Sequence, residues 1–162
     1  MKRKYKEIKN FLDKEKFNKL KSFINSTDFP WYFKEEQTPN NDHYFFSHLI
    51  YKEHQPKSLI YDYIIPVLDN LNCKMISEIR VNLLLKENKP YSSHFHCDRN
   101  YNCNTAIFYI NTNNGFTLLG KKENIKIKCE ENKMLIFNSK FEHCAVSQTD
   151  ESKRVVINFN YI

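Results

Sequence analysis

The hydrophobic period of this chain changes once, near Leu71, and does not change back. Before that point apolar residues recur at helical spacing; after it they alternate, and no convincing helix follows. Phe17, Leu20 and Ile24 lie three and four apart behind Asp13, which predicts a capped helix over Lys14–Ile24, ended by Asn25-Ser26-Thr27-Asp28. Leu59/Ile60, Tyr63/Ile64, Val67/Leu68 and Leu71 predict a second helix over about residues 57–71, kinked or broken at Pro66. Between the helices, Phe29-Pro30-Trp31-Tyr32-Phe33 reads as an aromatic connector or short strand, and His43–Lys52 as a strand. Beyond Leu71 the alternation predicts strands at Met75–Lys86 and Asn104–Asn111, with Asn113-Asn114-Gly115 as a tight turn into Phe116–Leu119. Ile125–Glu130 and Lys133–Asn138 read as a pair across Glu131-Asn132. His143–Thr149 and Arg154–Tyr161 flank a turn at residues 150–153. Helices first and many short antiparallel strands afterwards predict a mainly β, α+β chain: a double-sheet barrel backed by helices.

The last strand has two different faces. Val155, Ile157, Phe159 and Tyr161 share one, expected to pack under the helices; Arg154, Val156, Asn158 and Asn160 share the other, expected to meet water or line a wet cavity.

Composition narrows the function classes. A chain of 162 residues fits one domain. No apolar run approaches the ~18 residues a membrane span needs. The opening MKRKYKEIKN leads into FLDKEKF and not into an apolar stretch, so no secretory signal is expected. Five cysteines without C-x-x-C spacing read as free thiols in a reducing compartment, and a cytoplasmic location is expected. The net charge of +6 sits entirely in residues 1–22, which carry nine Lys/Arg and three Asp/Glu, leaving 16 of each sign in the remainder. The lysines of that segment read as a solvated helix face, with contact to an anionic partner as the alternative. A base-handling site should show a basic rim with aromatics. Zero net charge beyond residue 22 therefore argues against a nucleobase as substrate.

The chemistry-bearing residues begin with His94-Phe95-His96-Cys97-Asp98. Alternation puts His94, His96 and Asp98 on one side, and the H-x-D pair presents an imidazole and a carboxylate to a common point. His143, opening a later strand, is the natural third ligand. Two histidines and one carboxylate on one face of a metal leave the opposite face open, the arrangement of non-haem Fe(II) oxygenases. Arg154 follows eleven residues after His143 on the face assigned to the cavity, where a guanidinium can hold a carboxylate through two parallel hydrogen bonds. An H-x-H pair of cupin type through His94 is the competing ligand set.

The chain resembles the 2-oxoglutarate/Fe(II)-dependent oxygenases on the prolyl-4-hydroxylase-like branch, and more narrowly small members encoded by marine phages. The likeness runs through Phe29–Phe33, Arg80-Val81-Asn82-Leu83, His96-Cys97-Asp98, Thr105–Asn111, Asn113–Thr117, His143 and Arg154–Tyr161, and leaves out the first 22 residues. It implies one domain over residues 1–162: a basic helical segment over 1–28 and a jelly-roll (double-stranded β-helix) core over 29–162. It implies Fe(II) held by His96, Asp98 and His143. 2-Oxoglutarate would chelate the iron and pair its distal carboxylate with Arg154, Tyr109 would donate a hydrogen bond to that carboxylate, and Asn82 and Asn158 would line the pocket. The implied activity couples O2 and the oxidative decarboxylation of 2-oxoglutarate, giving succinate and CO2, to hydroxylation of a substrate such as a peptide proline. Asp98 at its position argues against halogenating variants, and a phage-encoded member would act in the host cytoplasm. His94, Tyr91 and Arg99 fall on the substrate side, and residues 87–93 and 99–103 flank the entrance. Cys97 and Cys144 are expected to turn away from the metal and pack, and His43, His48 and His54 are expected to be ordinary surface or core histidines. Two alternatives stay open: a jelly-roll binding module with a vestigial metal site, and a cupin-type metalloenzyme that does not use 2-oxoglutarate.

Overall fold

The computed structural model describes residues 4–35 and 43–162; residues 1–3 of the basic segment lie outside them. The chain opens with a strand, β1 (Tyr5–Ile8), where a helical segment was expected. Helix α1 (Lys14–Ile24) has the predicted bounds, and the Asp13 carboxylate accepts the Lys16 backbone N–H at its N-terminus. Strands β2 (Tyr32–Lys34), β3 (Phe45–Lys52) and β4 (Gln55–Pro56) follow. The second helix is broken, as Pro66 requires. A 3-10 turn over Leu59–Ile64, started by the Ser58 hydroxyl, gives way to α2 (Ile65–Leu71), with proline in its first turn where no N–H is needed. Then come β5 (Ile76–Leu85), β6 (Asn104–Tyr109), β7 (Asn113–Leu119), β8 (Ile125–Cys129), β9 (Lys133–Asn138), β10 (His143–Val146) and β11 (Lys153–Tyr161). Among the described residues no helix is long and apolar enough to cross a membrane.

The strands form two antiparallel sheets. The major sheet runs β1-β9-β6-β11-β5-β3-β2, with β4 beside β3; the minor sheet runs β10-β7-β8. Two expectations fail here for one reason. Ile125–Glu130 and Lys133–Asn138 do not pair: β8 lies in the minor sheet and β9 in the major one, so residues 130–132 carry the chain between sheets. Nor is Asn113-Asn114-Gly115 a hairpin turn. It is the bulged opening of β7, where the Asn113 side chain accepts the Gly115 N–H. A Cβ at Gly115 would sit 2.9 Å from the Val146 carbonyl, so glycine is required there by the close approach of β10. Local pairing signals cannot distinguish a hairpin from a crossover when both strands alternate equally well.

Each face of the major sheet has its own core. On the convex side Val155, Ile157, Phe159 and Tyr161 of β11, with Ile79, Val81 and Leu83 of β5 and Ala106 and Phe108 of β6, pack under Phe17, Leu20, Ile24, Ile64 and Val67 from the helices. Phe108 meets Phe11 and Phe17 edge-on at 5.7 and 5.9 Å. On the concave side a smaller cluster joins the two sheets through Ile107, Tyr109, Leu119, Ile127, Leu135, Phe137 and Val156. The basic segment is neutralised in part: Lys4 pairs with Glu123, Lys9 with Glu130 and Lys21 with Glu131, all on or beside the turns flanking β8.

Candidate metal centre

The gap between the sheets stays open at one end as a cavity of about 230 Å³, lined by residues of β5, β6, β7, β10 and β11 and of the loop before β6. Alternation decides which residues reach it. Glu78, Arg80, Asn82 and Leu84 of β5 face inward while Ile79, Val81 and Leu83 face the helices. Arg154, Val156, Asn158 and Asn160 of β11 do the same, so the polar face of that strand lines the cavity.

His96 and His143 are held as a hydrogen-bonded cross-strand pair. The His96 N–H donates to the His143 carbonyl at 3.0 Å and the His143 N–H to the His96 carbonyl at 2.9 Å. The segment that carries H-x-D thus runs beside β10 at the margin of the minor sheet. Asp98, two residues on, is fixed by its N–H to the Ser139 carbonyl. The three side chains converge: His96 Nε2 lies 3.6 Å and His143 Nε2 3.4 Å from Asp98 Oδ1, and one donor atom from each residue falls within a 4.8 Å circle.

Both imidazoles are oriented from behind. His96 Nδ1 donates to the His94 carbonyl at 3.1 Å and His143 Nδ1 to the Phe141 carbonyl at 3.2 Å, which leaves each Nε2 lone pair for the common point. Thr105 Oγ1 donates to Asp98 Oδ2 at 2.9 Å, so one carboxylate oxygen is anchored and the other faces the histidines. Burial alone would raise the Asp98 carboxyl, but hydrogen bonds and charge from His143 and His96 outweigh it and hold it well below the ordinary range. Burial lowers His96 and the same carboxylate raises it more, with the His94 carbonyl adding to the rise. Two neutral-capable nitrogens and one ionised oxygen, each backed by a fixed partner, suit a divalent first-row metal.

At the inner end lies Arg154, 2 % exposed. Its Nη2 donates to Thr117 Oγ1 at 3.1 Å and its Nε to Cys129 Sγ at 3.0 Å; its guanidinium carbon stands 5.9 Å from the Tyr109 ring centre. Tyr109 is fully buried, shares a hydrogen bond of 2.8 Å with Thr117 Oγ1, and has its hydroxyl pushed up in pKa by burial. Both hydrogen-bond partners of the guanidinium, Cys129 and Thr117, are neutral by ordinary chemistry, and among the described residues no carboxylate forms an ion pair with it. A buried cation without an anion is costly unless something supplies one.

Asn82, Asn158 and Arg99 also line the cavity. The His94 ring is exposed and outside the converging group, so the H-x-H alternative fails on geometry and His94 acts through its carbonyl. Tyr91 is half-buried against His43 and does not line the cavity. Cys97 is exposed and does not pack, whereas Cys144 is buried against Ser92. His48 is buried under Phe29 and Tyr32 with Nδ1 on the Pro30 carbonyl, His43 pairs with Glu87, and neither His43 nor His54 reaches the cavity. The sequence reading missed Thr105, Thr117 and Cys129 as neighbours of these groups, and Glu78 and Arg80 as cavity residues. For the last two the signal was present, because the polar face of β5 alternates as strictly as that of β11.

No protein-family model matches the chain, and no curated protein does either. Solved structures do. An oxidoreductase of the 2OG-Fe(II) oxygenase family from Burkholderia pseudomallei superposes with a TM-score of 0.74 at 11% identity, over 98% of this chain and 84% of that one. A prolyl hydroxylase from Trichoplax adhaerens, solved with a hypoxia inducible factor peptide fragment, gives 0.70 at 17% identity over 99% and 84%. A viral collagen prolyl hydroxylase from Paramecium Bursaria Chlorella virus-1 gives 0.58 at 13% over 98% and 96%. At such identities the likeness is one of architecture, and on that ground the chain has the jelly-roll fold of the 2-oxoglutarate/Fe(II) oxygenases.

Proposed function

We propose that the protein is a 2-oxoglutarate- and Fe(II)-dependent hydroxylase. The observation that carries this reading is one cavity with two incomplete ends: His96, Asp98 and His143 aimed at a common point, and Arg154 buried without an anion. His96, Asp98 and His143 would hold Fe(II), and Arg154 would hold the distal carboxylate of 2-oxoglutarate, with Tyr109 and Thr117 fixing the guanidinium. With O2, Fe(II) and 2-oxoglutarate supply the oxidising power, 2-oxoglutarate leaving as succinate and CO2.

The chain's own residues do the rest. The carbonyls of His94 and Phe141 fix the proton of each imidazole on Nδ1, and Thr105 holds Asp98 in a single rotamer. Ile107, Val156 and Leu84 give the cavity dry walls that strengthen the charge interactions inside it. A peptide or protein side chain, proline among them, is the substrate the fold likeness favours, since two of the structural neighbours are prolyl hydroxylases and one was solved with a peptide. Succinate release from Fe(II), O2 and 2-oxoglutarate is the test. Wild-type protein produces it, and Arg154→Ala loses it at ordinary 2-oxoglutarate concentrations. Equal succinate from both proteins removes Arg154 from the reading, and none from the wild type, with no 2-oxoglutarate binding in the presence of Mn(II), ends it.

A further inference from the structure

Beyond residue 22 the chain is neutral overall, yet the mouth of the cavity is not. Glu78 is a single carboxylate set among three cations. Its Oε1 accepts from Arg80 Nε at 3.2 Å, with Arg80 Nη2 ion-paired at 3.1 Å, its Oε2 accepts from Arg99 Nη2 at 3.1 Å, and Lys52 Nζ stands 3.8 Å away. Arg80 and Arg99 both line the cavity, and among the described residues the one other acidic group lining it, Asp98, is engaged with the two histidines. Glu78 faces two lining guanidiniums, so the rim carries an excess of one positive charge, with Lys52 just outside the lining. Arg99 also donates from Nη1 to the Asp98 carbonyl and from Nε to Ser77 Oγ, whereas the hydrogen bonds of the described residues leave Arg80 Nη1 unused.

The register adds a second feature. Asn158 on β11 stands directly opposite Arg80 on β5, on the same inward face. Asn82 and Asn160, its neighbours along that face, are committed: Asn82 Oδ1 accepts from Ser47 Oγ and Asn160 Oδ1 from Thr105 Oγ1. Asn158 Oδ1 is buried and has no donor among the described residues. An amide left uncommitted at a cavity wall is free to turn toward what the cavity holds, and it can bind an N–H as acceptor.

We infer that the substrate is an amino acid or peptide that presents a carboxylate to Arg80 and Arg99, with an N–H within reach of Asn158. This rests on the hydroxylase reading and names the substrate class of the same site. Two chemical sources present such a carboxylate, the α-carboxylate of a free amino acid and the side chain of an acidic peptide, and the test separates them. A nucleotide fits less well: among the described residues Phe45 is the one Phe, Tyr or Trp ring lining the cavity, the two histidine rings there being turned to the common point with Asp98, and a base needs faces on which to stack.

The experiment uses wild-type protein with Fe(II) and saturating 2-oxoglutarate, and reads succinate above the substrate-free rate. Its probes come in pairs: free amino acids against their α-amides, and blocked peptides containing Glu or Asp against the same peptides containing Gln or Asn. Inosine monophosphate and a short oligodeoxynucleotide complete the set. The expected result is that the carboxylate member of at least one pair stimulates turnover about tenfold more than its amide, the worth of one charge-assisted contact. Stimulation by free amino acids identifies the first source and by blocked acidic peptides the second. Arg80→Lys, which keeps the charge and loses the fork, then raises KM more than it lowers kcat. If no carboxylate outperforms its amide, or only the nucleotides stimulate, the inference is overturned while the hydroxylase reading stands. If wild-type protein neither binds 2-oxoglutarate with Mn(II) nor yields succinate, both fall together.

Discussion

The two faces of β11 are built from one strand and face opposite tasks. Its convex residues, Val155, Ile157, Phe159 and Tyr161, are apolar, buried and in contact with both helices. Its concave residues, Arg154, Val156, Asn158 and Asn160, include a buried guanidinium and an amide oxygen that, among the described residues, have no carboxylate and no donor respectively. Folding alone selects for the first pattern and against the second, since burying an unpaired cation or acceptor opposes stability. The convex face therefore reports what holds the protein together, and the concave face reports what the protein is shaped to bind. Mutations on the two sides should separate stability from binding.

The largest separation is expected from Phe159→Ala. Phe159 is fully buried under the helices, and its truncation should cost about 3–5 kcal/mol of unfolding free energy. Protein that remains folded should bind 2-oxoglutarate as before. Chemical denaturation measures the first, and calorimetric titration below the shifted midpoint measures the second. A variant that loses binding while its midpoint holds breaks the comparison. Arg154→Met is the reverse case. Affinity for 2-oxoglutarate in the presence of Mn(II) should fall about a hundredfold or more, the usual effect of truncating one member of a buried charge pair. The ligand-free protein should melt no lower than wild type, because a desolvated cation is exchanged for an apolar side chain of similar length. A clear drop in melting temperature would make Arg154 a structural residue.

The faces were legible before the structure because period two is a property of the strand itself. Alternation within residues 154–161 assigned every side chain to its side, and helical spacing placed α1 to the residue. What could not be read was anything decided between strands. The sheet exchange at residues 130–132, the pairing of Tyr5–Ile8 with β9 and the bulge at Asn113–Gly115 depend on partners more than ten residues away along the chain. The candidate metal triad was legible because its residue types are chemically unusual together. Thr105, Thr117 and Cys129 were not, since a threonine or cysteine on a strand is ordinary until its neighbour is known. The basic rim was hidden for a related reason: net charge averages over the domain, and Arg80, Arg99 and Lys52 gather at one point.

His143→Ala tests the metal end at intermediate size. His143 is buried but pairs with His96 through backbone atoms, which the substitution leaves in place. Metal affinity should fall by at least about a hundredfold, since losing a ligand removes more than losing a group that merely orients one, with the circular-dichroism spectrum unchanged. A collapsed spectrum would move His143 to the structural side of the comparison.

The finest test exchanges single methyl-sized groups on opposite faces. Thr105→Val keeps shape and removes the one hydroxyl proton that lies between Asp98 Oδ2 at 2.9 Å and Asn160 Oδ1 at 3.2 Å. Ile157→Val removes one methylene from the convex core, where Ile157 is fully buried. The first should weaken metal binding about tenfold, as loss of a group that orients a ligand does. The second should cost about 0.5–1.5 kcal/mol of stability and leave metal affinity alone. Thr105→Val also leaves the Asn160 oxygen short of a donor, so its stability cost is about 1 kcal/mol, close to that of the core variant. The two proteins thus match in melting temperature and differ in Mn(II) affinity. If they differ in melting temperature and match in affinity, Asp98 is held by the histidines alone and Thr105 belongs to the fold.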